Sequence, residues 1–123
     1  MNFCTSIHCM DGSIQEPIIK YLKENYKAEN VDSITELSPC HILASLGQKQ
    51  LIDSIRRLAD VSVKKHGSSL IAVSGHADCV ANQVSEEKQK EQVLIACQNI
   101  KAYYPAAQVI GLWVSKAGEV ELL

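Results

Sequence analysis

Two short stretches of this sequence, far apart along the chain, carry residue types that bind metal ions. The first is Cys9-Met10-Asp11-Gly12, and the second is Gly75-His76-Ala77-Asp78-Cys79. Two thiols and one imidazole from these stretches supply three ligands for zinc. Catalytic zinc has three protein ligands and one open position, whereas structural zinc has a fourth protein ligand. The residue types therefore predict a zinc site of the catalytic kind.

Each of the two stretches follows a short run of strand-forming residues. Thr5-Ser6-Ile7 precedes the first stretch, and the apolar run Leu70-Ile71-Ala72-Val73 precedes the second. Open α/β sheets bind ligands at the carboxyl ends of strands, where neighbouring connections diverge. We therefore expect Cys9, His76 and Cys79 to converge there. A metal-free α/β domain, in which these Cys and His residues coincide by chance, remains a minor alternative.

These residues resemble the motifs of the β-class carbonic anhydrases. That family carries Cys-x-Asp-x-Arg after its first core strand and Gly-His-x-x-Cys after a later strand. The resemblance implies that Cys9, His76 and Cys79 bind Zn²⁺ and that Asp11 is the catalytic aspartate of the family's Asp–Arg pair. Ser13 stands where the family has its arginine. The activity implied is reversible hydration of carbon dioxide to bicarbonate by zinc-bound hydroxide, in a homodimer or a multiple of dimers.

The missing arginine leaves two functional hypotheses open. An arginine holds the aspartate off the metal by a bidentate ion pair, which serine cannot make. Asp11 then either takes the fourth zinc position, which is the resting state that the sequence favours, or is oriented by another group. The first case gives a non-catalytic, zinc-binding interaction module. The second gives an active lyase, with Ser13, an arginine such as Arg56 or Arg57, or a partner subunit replacing the arginine.

Composition indicates an ordinary soluble globular protein. The chain has 123 residues, 46% of them hydrophobic and 21% charged, which suits a single domain over residues 1–123. Its net charge of −2 and its lack of a basic block argue against a nucleic-acid partner. The apolar runs are too short to span a membrane, and the start of the chain does not resemble a signal peptide. We therefore expect a cytoplasmic protein without a membrane partner.

Several other reactive residues have simpler interpretations. The five cysteines are an odd number, which favours metal ligands and buried thiols over disulfides. Cys4 and Cys97 are expected to pack in the core. We expect Cys40 and His41 to have a structural or interfacial role, because adjacent residues rarely bind one ion together. His66 is expected to end a helix, and Asp78 either supports His76 or stabilises a turn.

Hydrophobic periodicity predicts an α/β fold, with a mainly parallel β-sheet flanked by helices on both faces and an antiparallel C-terminal edge hairpin. Ser13 and Ser85 are predicted to cap the first and last helices. The segment 38–44 gives no clear prediction. The predicted strands are residues 2–8, 30–37, 68–74, 108–114 and 119–122, and the predicted helices are residues 15–26, 48–66 and 86–103.

Overall fold

The computed structural model describes residues 2–123, which form one β-sheet with helices packed on both faces. The strands are β1 (Phe3–Cys9), β2 (Asn30–Glu36), β3 (Leu70–His76), β4 (Gln108–Val114) and β5 (Val120–Leu122). The helices are α1 (Gln15–Tyr26), α2 (Pro39–Ser45), α3 (Lys49–Asp60) and α4 (Glu86–Tyr103), and a π-helical segment, Val61–Lys65, continues α3. No helix within these residues is long and apolar enough to cross a membrane.

The sheet confirms the predicted fold class. Its strand order is β2-β1-β3-β4-β5, in which the first four strands are parallel and β5 pairs antiparallel with β4. From β1 the chain moves to the edge strand β2 and then returns to β3 on the other side of β1. The connections that follow β1 and β3 therefore diverge, which places a topological switch point between these two strands.

Each face of the sheet buries its own apolar core. Helix α1 covers one face, where Ile18 and Leu22 pack with residues of β3 and β4. Helices α2, α3 and α4 cover the other face, where Ile71 and Val73 of β3 join the larger core cluster. Strand β3 is buried along its whole length because both layers of helices cover it.

Val93 of α4 packs directly on two glycines of the sheet, Gly75 in β3 and Gly111 in β4. A Cβ atom at Gly75 or at Gly111 would come within 2.9 Å of a methyl carbon of Val93, which is closer than real side chains approach. Alanine at either position would therefore push α4 away from β3 and β4. Gly75 directly precedes His76, so this close packing lies next to one of the predicted metal ligands.

The structure assigns the one segment that had no prediction, corrects two local predictions and confirms a third. Helix α2 occupies most of the unassigned segment 38–44, and it follows Ser38, whose backbone is left-handed with φ of 46°. The predicted helix 48–66 ends as a normal α-helix at Asp60 and continues as the π-helical segment. Ser85 caps α4 by accepting a hydrogen bond from the backbone N–H of Lys88 at 3.1 Å, as predicted. Ser13 does not cap α1, because its side chain bonds Asp11 instead.

Candidate metal centre

Cys9, His76 and Cys79 meet at the carboxyl ends of β1 and β3. Cys9 is the last residue of β1, His76 is the last residue of β3, and Cys79 lies in the connection that follows β3. The two strands are direct neighbours, with Ile7 opposite Val73. One potential ligand atom from each of the three residues lies within 4.8 Å of the other two, and all three residues are buried. Such a group can hold a metal ion.

The imidazole of His76 has one ring nitrogen that is available to a metal ion. Its Nδ1 lies 2.9 Å from the carbonyl oxygen of Ala77. Because a carbonyl only accepts hydrogen bonds, Nδ1 carries the proton and Nε2 is left with its lone pair free. Nε2 is buried and has no hydrogen-bond partner among the residues that the structure describes. A buried nitrogen of this kind is costly unless something binds it, and a metal ion satisfies it.

The two thiols complete a donor set that suits a soft divalent cation. Burial raises the pKa of the Cys79 thiol, and the neighbouring Cys9 raises it further. A bound cation reverses this effect, because it stabilises the thiolate form that acts as the ligand. Two sulfurs and one imidazole nitrogen are ligands that zinc prefers over harder cations such as Mg²⁺. The three residues therefore fit zinc by their chemistry as well as by their proximity.

Asp11 lies beside this group but is held by Ser13. Its Oδ1 accepts a hydrogen bond from the backbone N–H of Ser13 at 2.9 Å and another from the Ser13 hydroxyl at 2.7 Å. These two bonds lower the pKa of the Asp11 carboxyl, because they stabilise its charged form. Among residues 2–123, the group that can hold a metal contains Cys9, His76 and Cys79, without Asp11.

Two cavities border the loops that carry these residues. The smaller one, of about 160 Å³, is lined by Asp11 and Ser13 on one side and by Ser115 and Lys116 on the other. The larger one, of about 500 Å³, lies on the α4 side and is lined by residues that include Cys79, Val80, Val84, Gln89 and Trp113. Asp78 lines both cavities, so the loop after β3 separates them.

The two arginines on α3 and the Cys40-His41 pair lie outside the group formed by Cys9, His76 and Cys79. The guanidinium of Arg56, on α3, stacks on the ring of Tyr103 at 3.9 Å. Tyr103 is the last residue of α4, at the end distant from Ser85 and from the segments after β1 and β3 (the metal loops). Arg57, also on α3, is exposed. Cys40 is buried in the larger core, and burial raises its pKa to about 11. None of these residues contributes a ligand atom to the group of three.

The remaining predicted residues have local structural contacts. His66 follows the π-helical segment, and its Nδ1 lies 2.7 Å from Oδ2 of Asp32. Asp78 occupies a left-handed turn position with φ of 58°, and its exposed carboxylate lies 3.9 Å from Nζ of Lys116. It therefore belongs to the turn, whereas the Nδ1 of His76 bonds Ala77. Cys4 is buried and Cys97 is half-buried, as expected for core thiols.

Two glutamines that the sequence interpretation missed contact the metal loops. Gln15 of α1 donates hydrogen bonds to the carbonyl oxygens of Cys9 and Asp11. Gln89 of α4 accepts a hydrogen bond from the backbone N–H of His76 at 2.9 Å. A signal for Gln89 was present, because this polar residue lies four positions before Val93 on the buried stripe of α4. Gln15 had no comparable signal.

Comparisons with known proteins agree with this architecture. The model of a family described as "Putative carbonic anhydrase" matches residues 1–123. The structures of two tetrameric β-carbonic anhydrases from Sordaria macrospora include a chain with 12% identity and a TM-score of 0.57, and the match covers 98% of this chain and 79% of that chain. The β-carbonic anhydrase CafA of Aspergillus fumigatus matches with 16% identity and a TM-score of 0.57, over 98% of this chain and 74% of CafA. At these identities the structural likeness shows a shared fold. No curated protein sequence matches the chain.

Proposed function

The chain belongs to this carbonic anhydrase family, and on that premise we propose that it is a zinc-dependent lyase that reversibly hydrates carbon dioxide to bicarbonate. Cys9, His76 and Cys79 hold the zinc ion, and Asp11 is the catalytic carboxylate. The observation that carries this proposal is the pair of hydrogen bonds from Ser13 to Oδ1 of Asp11. This pair gives Asp11 a partner other than the metal, which supports a fourth zinc position that is open to solvent.

Each residue has a distinct part in the reaction. When zinc is bound, it supplies a Lewis acid that makes a neighbouring water molecule more acidic. Two thiolate ligands neutralise much of the zinc charge, so nearby protein groups matter more for that acidity than in a three-histidine site. Ser13 bonds only Oδ1 of Asp11, which leaves Oδ2 free to accept a hydrogen bond from that water and so to orient it. The lowered pKa of Asp11 keeps this carboxylate charged and able to accept a hydrogen bond.

A second candidate function is a non-catalytic, zinc-binding module with a closed site. The observation that favours it is the neutral character of the Ser13 donors, because neutral hydrogen bonds are weaker than the bidentate ion pair that an arginine makes. A zinc ion could then draw Asp11 away from Ser13 and into the fourth position. The two candidates share the three zinc ligands and differ in what Asp11 does.

We also propose a homodimer, or a multiple of dimers, in the cytoplasm. Large apolar side chains are exposed next to the carboxyl ends of β1 and β2 and next to Cys79: Met10 is 58% exposed, Leu37 is 53% exposed and Val80 is 84% exposed. Large apolar side chains exposed at this end of the sheet support an interface between subunits. A reducing compartment suits the five free thiols, two of which are proposed to bind the metal.

Stopped-flow measurement of carbon dioxide hydration tests the proposed reaction. The protein is loaded with zinc, its zinc content is measured, and its hydration rate is compared with that of an equally loaded Asp11→Ala variant. We expect a zinc-dependent rate that Asp11→Ala lowers. A fully loaded wild-type protein with no rate above buffer would support the closed module instead, and a protein that does not bind zinc would exclude both candidates.

A further inference from the structure

We infer that Gln15 and Gln89 are positioning residues that hold the zinc ligands in place through their backbone groups. This inference rests on the proposed function. Each glutamine lies near the start of the helix that follows a ligand-bearing strand: Gln15 begins α1 after β1, and Gln89 lies in the first turns of α4 after β3. Each side chain reaches back from its helix to the end of that strand. The two helices thus hold the two halves of the metal centre.

Gln15 fixes the turn that contains Cys9 and Asp11. Its Nε2 donates hydrogen bonds to the carbonyl oxygen of Cys9 at 2.9 Å and to that of Asp11 at 2.8 Å. One amide group therefore holds the backbone of the proposed zinc ligand and that of the proposed catalytic carboxylate at the same time. A shift of this turn would move both groups relative to the metal.

The orientation of the Gln15 amide is itself fixed by His8. Two carbonyl groups accept only, so the NH₂ group faces them and Oε1 faces the Nε2 atom of His8, 2.6 Å away. His8 is fully buried, and its Nδ1 lies 2.7 Å from the hydroxyl of Ser6. Nε2 of His8 therefore carries the proton, and Nδ1 accepts from Ser6. The chain Ser6, His8, Gln15 leaves the amide a single satisfied orientation.

Gln89 fixes the backbone of His76 from the face of the sheet that α4 covers, whereas Gln15 acts from the α1 face. Its Oε1 accepts the backbone N–H of His76 at 2.9 Å, and its side chain is buried. The same Oε1 would lie 3.0 Å from a Cβ at Gly75, so the glycine is what allows the side chain to approach. The ring of His76 is held separately, because its Nδ1 donates a hydrogen bond to the carbonyl oxygen of Ala77. The backbone and the ring of this ligand are thus both fixed.

The two glutamines use different groups of their side-chain amides, and this difference provides the test. Gln15 acts on the metal loop as a donor, whereas Gln89 acts as an acceptor. Glutamate keeps an acceptor and loses the NH₂ donor, and methionine loses both while keeping a similar shape. Glutamate should therefore replace glutamine at position 89 but not at position 15. A side chain that only fills space would not distinguish glutamate at the two positions in this way.

The experiment measures Co²⁺ and Zn²⁺ affinity by competition with a chromophoric chelator, together with the absorption spectrum of the Co²⁺ protein. Gln15→Met, Gln15→Glu and Gln89→Met should each weaken metal binding about 10- to 100-fold, as is typical when a group that orients a ligand is lost. Each should also change the Co²⁺ spectrum. Gln89→Glu should keep the wild-type spectrum and stay within about threefold of the wild-type affinity, well below that loss.

Asn99→Leu is the matched control. It removes an amide of α4 that donates to the carbonyl of Leu43 at 2.8 Å, away from the metal loops. It should lower the melting temperature without changing metal affinity. The inference is overturned if all four glutamine variants bind metal like the wild type, if Gln89→Glu is as weak as Gln89→Met, or if both glutamate variants bind at least as tightly as the wild type. A wild-type protein that binds neither metal overturns the proposed function, and the inference with it.

Discussion

Ser13 holds Asp11 by two hydrogen bonds to a single carboxylate oxygen, one from its backbone N–H at 2.9 Å and one from its hydroxyl at 2.7 Å. Both donors come from a residue two positions along the chain, so the contact is formed by the local turn. An arginine in the same position would add a positive charge and bond both oxygens. Serine thus keeps Asp11 partnered but leaves its second oxygen available and its charge unneutralised.

Ser13→Ala tests whether this contact matters for catalysis. The variant loses the hydroxyl bond and keeps the backbone bond, so Asp11 becomes less well positioned. We expect kcat/KM for carbon dioxide hydration to fall about 10- to 100-fold, because small displacements of catalytic groups have effects of this size. Zinc content should not change. Ser13→Arg, which restores the ion pair, should hydrate carbon dioxide at least as fast as the wild type. Equal rates for Ser13→Ala and the wild type would exclude a role for the hydroxyl.

Cysteine substitutions distinguish ligands from core thiols. Cys79→Ala removes one of the three proposed ligands, so the purified protein should lose its zinc. Cys97→Ala changes a half-buried thiol of the larger core and should retain one zinc ion per chain. Zinc content is measured by elemental analysis after purification without chelators. Retention of zinc by Cys79→Ala at the wild-type level would contradict the ligand assignment.

The π-helical segment provides a test of stability that is separate from the metal. The buried hydroxyl of Ser62 donates to Oδ2 of Asp32 at 2.7 Å and lies 2.6 Å from the hydroxyl of Thr5. Ser62→Ala should lower the free energy of unfolding by about 1–3 kcal/mol, because it removes a hydrogen bond to the charged carboxylate of Asp32 within this network. Urea denaturation measures this change. An unchanged midpoint would show that the network adds nothing to stability, and altered zinc content would contradict its separation from the metal centre.

Tyr104 predicts a loss of stability at high pH. The pKa of its hydroxyl is raised to about 12, mainly by burial and secondly by the hydrogen bond to Asp60. An unfolded tyrosine ionises near pH 10. The folded state therefore binds this proton more tightly, and the resulting stabilisation is complete below about pH 10 and is lost as the pH rises towards 12. The difference in unfolding free energy between the wild type and Tyr104→Phe should shrink over that window. A constant difference would contradict the shift.

Much of the fold could be predicted because its signals are local. The alternation of polar and apolar residues in β2 and the continuous apolar run in β3 depend on neighbouring residues alone. The same is true of the cap at Ser85. The predicted convergence of Cys9 and His76 at strand ends needed one further rule, that β1 and β3 lie side by side at the switch point. The pairing of β1 with β3 satisfies that rule.

The rest depended on contacts that no local pattern encodes. Ser13 was predicted to cap α1, yet its hydroxyl bonds Asp11, and Ile14 is the residue at the N-cap position, without a side-chain hydrogen bond. Helix α2 is short and begins with a proline after the left-handed Ser38, so periodicity could not reveal it. The partners of Gln15 and Gln89 follow from the three-dimensional packing of helices on strand ends.

The most direct test of this account is a crystal structure of the zinc-loaded protein, with anomalous diffraction measured at the zinc edge. We predict one zinc ion bound by Cys9 and Cys79 at about 2.3 Å and by Nε2 of His76 at about 2.0–2.1 Å, with solvent in the fourth position. Asp11 should keep its two hydrogen bonds to Ser13. A carboxylate oxygen of Asp11 bound to the zinc at about 2.0–2.2 Å would contradict the account and establish the closed site.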